Sequence, residues 1–87
     1  MDYDKDKACE LALALMCITF HDKSPFENSY RAWKAIDFEV MNQLHELGYI
    51  HNPVNKSKSV VLTPAGVEKA EEHFSTLLMK VSDDDEL

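Results

Sequence analysis

The chain has 87 residues, with 9 Lys+Arg against 16 Asp+Glu, for a formal net charge of −7. That length allows one domain, and a core burying only about 60–68% of the unfolded surface leaves little room for a deep substrate cleft. Hydrophobic residues at 45%, charged residues at 29%, 2 Gly and 3 Pro exclude a disordered, collagen-like or proline-rich chain.

The first predicted element is a helix from about Asp4 to Phe20. Asp4 or Asp6 can cap it, and the acidic start suits the positive end of the helix dipole. Between Ala8 and Ile18 the only charge is Glu10. Leu11, Leu15 and Ile18 form one apolar stripe; Leu13, Met16 and Phe20 form another, roughly opposite. A helix apolar on two sides must be covered on two sides. One short chain offers too few elements for that, so the surplus stripe is expected to meet a second copy. The expected homodimer interface is Leu13, Met16 and Phe20 of this helix with Phe74, Leu77 and Leu78 of the last one.

The run Leu11 to Phe20 is about half of the ~20 residues that a membrane span requires. Asp2, Asp4, Asp6 and Glu10 stand where a signal peptide carries positive charge. No membrane partner is expected, and the protein is expected in the cytoplasm. Cys9 and Cys17, about 12 Å apart along a helix axis, cannot pair and read as small buried hydrophobes in a reducing compartment.

Ser24-Pro25-Phe26-Glu27 has the form of a capping box, with proline at the first helical position. It predicts a second helix in which Phe26, Tyr30 and Trp33 share a face, Trp33 serving as a core anchor. The segment around Arg31 to Lys34 is left open between helix and loop. A third helix starts at Asp37 and turns Phe38, Met41, Leu44 and Leu47 inward, with Gly48 as its C′ residue. Strands at 49–52 and 58–62 then flank a polar turn as a hairpin, and Thr63-Pro64 starts a last helix to about Lys80. That helix is expected to bury Val67, Ala70, Phe74, Leu77 and Leu78. Residues 1–81 are expected to form the domain and 82–87 a disordered acidic tail.

The fold class is thus mainly α with a small antiparallel β-hairpin, a winged helix-turn-helix. The run Leu44-His45-Glu46-Leu47-Gly48-Tyr49-Ile50, a polar wing, and Val61-Leu62-Thr63-Pro64-Ala65-Gly66 resemble MarR- and PadR-type winged-helix regulators. Arg31-Ala32-Trp33-Lys34, Asp37-Phe38 and Ser57-Lys58-Ser59-Val60 resemble more closely a family of small bacterial proteins known only as a domain of unknown function. The resemblance covers roughly residues 8 to 75.

In a helix-turn-helix the second paired helix enters the major groove. The expected base contacts are therefore Asn42, Gln43 and His45, and the expected phosphate contacts are Arg31, Lys34, Lys56 and Lys58. Arg31 and Lys34 could equally pair with Glu27 or Asp37. Glu39 and Glu46 on the same face would repel phosphates, and the overall charge lacks a basic footprint. The acidic surplus lies at the ends: residues 63–87 carry two cations against seven anions, whereas residues 21–62 carry five of each. Two readings follow, a small regulator binding duplex DNA and a winged helix binding another protein.

No catalytic residues, cofactor or metal are expected. Cys17 and His21 stand at i, i+4 and His45, His51 and His73 are scattered, without the paired ligand spacing of a zinc site. There is no nucleophile elbow and no glycine-rich phosphate loop.

Overall fold

Three side chains set the three helix starts. Asp4 accepts from the Lys7 amide at the head of α1 (Lys5–Ile18), and Asp37 accepts from the Glu39 amide at the head of α2 (Phe38–Glu46). Thr63 accepts from the Gly66 amide at the head of α3 (Pro64–Leu77), where Pro64 holds the first helical position. Gly48, at φ +84°, is the left-handed C′ residue after α2. A computed structural model describes residues 2–34 and 37–79, so the expected tail at 82–87 lies outside the described residues.

The predicted second helix does not form. Ser24 instead accepts from the Phe26 amide at 3.1 Å, and its own amide donates to the Ser29 carbonyl at 2.9 Å, closing a turn. His21 and Arg31 then exchange both backbone bonds at 2.8 Å, and the chain continues as β1 (Arg31–Trp33). Asn28, Ser29 and Tyr30 are weak helix formers, and the serine side chain serves a turn as readily as a cap. Strand alternation follows: Ala32 points into the core, while Trp33 is half exposed beside the His21 ring instead of anchoring the core.

β1 pairs antiparallel with β2 (Ser59–Val61) in the register Arg31↔Val61, Ala32↔Val60, Trp33↔Ser59. On the other side of β2 the predicted 49–52 strand supplies one bridge, Ile50↔Leu62, and a bond from the His51 amide to the Val61 carbonyl at 2.9 Å. The fold is therefore mainly helical with a small antiparallel sheet, in a winged-helix-like arrangement.

α3 packs chiefly on α1, and α2 covers another side of α1. Leu13 and Met16 of α1, Val40, Met41 and Leu44 of α2, and Ile50, Val60, Leu62 and Val67 form one buried core. Phe38 and Leu47, expected inward, are exposed. Positions three apart drift about 60° around a helix, so 38 and 47 end on opposite sides of α2. In α3, Val67 and Ala70 are buried, Phe74 is half-buried, and Leu77 and Leu78 are exposed.

Candidate functional site

α1 has its apolar stripes the other way round from the expected order. Leu13 and Met16 are buried in the core, so these two cannot serve as a dimer face, while Phe20 is half-buried and stacks on Tyr30 at 4.7 Å. The bare stripe is Leu11, Leu15 and Ile18, exposed by 49%, 52% and 63%. Leu11, Ala12, Leu15 and Met16 line a groove of about 410 Å³, closed on the far side by Trp33 of β1 and Val40 at the start of α2. Lys34 and Asp37 stand at its rim. Trp33 in that wall is exposed by 52%, and Phe38, which follows Asp37 in the chain, by 60%. The groove thus lies between one face of α1 and the residues Trp33, Lys34, Asp37 and Val40.

The four expected phosphate-binding cations lie along the β1–β2 corner, but with different duties. Arg31 donates to the Ser59 hydroxyl at 2.7 Å. The Lys34 ammonium donates to the carbonyls of Pro53 and Asn55 at 2.7 and 3.3 Å and to the Asn55 side chain at 3.1 Å. That uses its three protons to hold the 53–57 turn. Lys56 and Lys58 are exposed and have no side-chain bond among the described residues.

The expected base-reading face of α2 is divided. Gln43 donates to Asp6 at 3.0 Å, Lys5 pairs with Glu39 at 2.9 Å, and the Tyr3 hydroxyl donates to Asp37. The start of the chain thus fastens the N-cap of α2 and two positions along it. Asn42 is half-buried, and His45 and Glu46 are exposed. The Tyr3 hydrogen bond holds the Asp37 carboxyl below the ordinary carboxylate range, helped by the Glu39 amide. The same bond raises the Tyr3 phenol, reinforced by the neighbouring carboxylate charge.

Burial raises the thiols of Cys9 and Cys17, and both are free. No group of three or more His, Cys, Asp or Glu side chains able to hold a metal occurs among the described residues. No helix among them is long and apolar enough to cross a membrane.

The chain is 42% identical over 80 residues to "Uncharacterized protein y4hR" of Sinorhizobium fredii (strain NBRC 101917 / NGR234), covering 92% of this chain and all of that protein. No solved structure matches it. The model of a domain of unknown function, DUF6429, matches residues 4–80, and its description names neither an activity nor a winged helix. The chain belongs to the DUF6429 family.

Proposed function

We propose that the chain is a small non-catalytic module that binds protein through the groove between α1, β1 and α2. One observation carries this reading: Leu11, Leu15, Ile18, Trp33 and Phe38 leave an apolar surface bare along one side of an 87-residue chain. Continuous apolar patches of this kind mark interaction sites on small domains. Two free thiols support placing the module in a reducing cytoplasm.

A photo-crosslinking amino acid at Leu15, irradiated in the cell of origin, tests the reading. A discrete protein adduct at Leu15, absent from the same label at Lys56, is the expected outcome. Labelling at neither position would overturn it.

A second reading, duplex DNA held by the wing, is favoured by the charge around β2. Between Leu47 and Val67 the sequence has Lys56 and Lys58 and no acidic residue. In this reading the winged-helix likeness is used through its wing more than through α2, since Gln43 and Glu39 are engaged by the chain's own start. Fluorescence anisotropy with random duplex at low salt checks it. Neutralising Lys56 and Lys58 should abolish binding, and absence of binding by the unaltered protein would end this reading.

A further inference from the structure

The groove and the stripe belong to the same helix. Leu11 and Leu15 form its wall, and with Ile18 at i, i+4 and i+7 they also form the apolar face that a helix lays into a groove. A surface that is both receptor and ligand is self-complementary, the condition for a two-fold contact. We infer that the occupant is a second copy of this chain, its α1 lying antiparallel against the first, with the two Leu15 residues close to the symmetry axis.

Area and charge agree with that occupant. Even wholly buried, the five exposed side chains give roughly 500–600 Å² per copy, at or just below the bound of about 600 Å² per partner for a stable interface, the size of a weak, reversible contact. The stripe itself is uncharged. Asp4 and Lys7 stand at its start, and Asp22 and Lys23 follow its end. Residues 2–10 carry four acids against Lys5 and Lys7, whereas Asp22 and Lys23 balance, so an antiparallel pairing keeps the two acidic starts apart and sets each against a balanced end.

The inference rests on the docking reading above. Sedimentation equilibrium of the full chain across the micromolar range should give a dimer. Leu15→Glu should weaken it about 100-fold or more, the effect of charging a central interface residue, with an unchanged far-ultraviolet spectrum because Leu15 lies outside the core. In a Cys17→Ser background, Leu15→Cys should form an intermolecular disulfide under mild oxidation and Lys7→Cys should not. The reverse pattern would overturn the antiparallel pairing. A monomer at every concentration would overturn the second copy, and a Leu15 photo-adduct with a different protein would then leave the docking reading standing.

Discussion

Tyr3 and Asp37 show how little chemistry is needed to fix a helix start to another part of the chain. Asp37 accepts from the Glu39 amide as N-cap and from the Tyr3 hydroxyl at the same time. A carboxyl lowered by folding contributes stability above its unfolded pKa and loses it as pH falls through the lowered value. A phenol raised by folding contributes below its unfolded pKa and loses it as pH climbs through the raised one. The fastening of the chain's start to α2 is therefore complete across neutral pH and opens at both extremes. Ultraviolet or NMR titration of Tyr3 should place its ionisation above the ordinary tyrosine value of 10.0. Asp37→Asn keeps an acceptor but removes the charge, so it should bring the ionisation back toward that value. A Tyr3 titration identical in the two proteins would show that the contact does not form in solution.

Gly66 sets the join between α3 and the sheet. A Cβ at Gly66 would lie 1.8 Å from the Tyr49 carbonyl oxygen, a backbone atom that cannot swing away. Gly66→Ala should therefore destabilise by about 3 kcal/mol or more, as overpacking does, although alanine is intrinsically the better helix former by about 1 kcal/mol. Chemical denaturation decides: an unchanged or higher midpoint would mean that α3 does not approach the 49–50 segment so closely.

What the sequence discloses about these elements is their local chemistry. Asp4, Asp37, Thr63-Pro64 and Gly48 act within one turn of themselves, so caps and stops were legible. Ser24-Pro25-Phe26-Glu27 has the same local form, yet there the serine closes a turn, because Tyr30 to Trp33 gain a strand partner nearly thirty residues away in β2. α1 is legibly apolar on two sides, but which side is covered depends on where α2 and α3 dock. The groove escapes a sequence reading because its far wall, Trp33 and Val40, comes from β1 and α2, some twenty to thirty residues along the chain from Leu11 and Leu15. Lys34 is legible as a cation, while its use as a pin for the wing turn depends on carbonyls some twenty residues on.

At the scale of the whole molecule, salt separates the two readings by sign. Two chains of formal charge −7 repel one another, and raising ionic strength shortens the reach of that repulsion from about 10 Å at 0.1 M to about 3 Å at 1 M. Apolar burial at Leu11, Leu15 and Ile18 does not weaken with salt, so self-association should tighten as salt rises. DNA held by Lys56 and Lys58 should do the opposite, since each phosphate contact releases counterions. Four lysines in a dimer imply a log affinity slope near −4 against log salt. Removing residues 83–87 deletes four carboxylates and leaves a formal charge of −3. That truncation should reproduce at low salt part of the tightening that salt gives the full chain, and flatten the remaining salt dependence. Sedimentation of both proteins at low and high salt makes the comparison. A dimer that loosens as salt rises would be held by ion pairs and not by the stripe on α1.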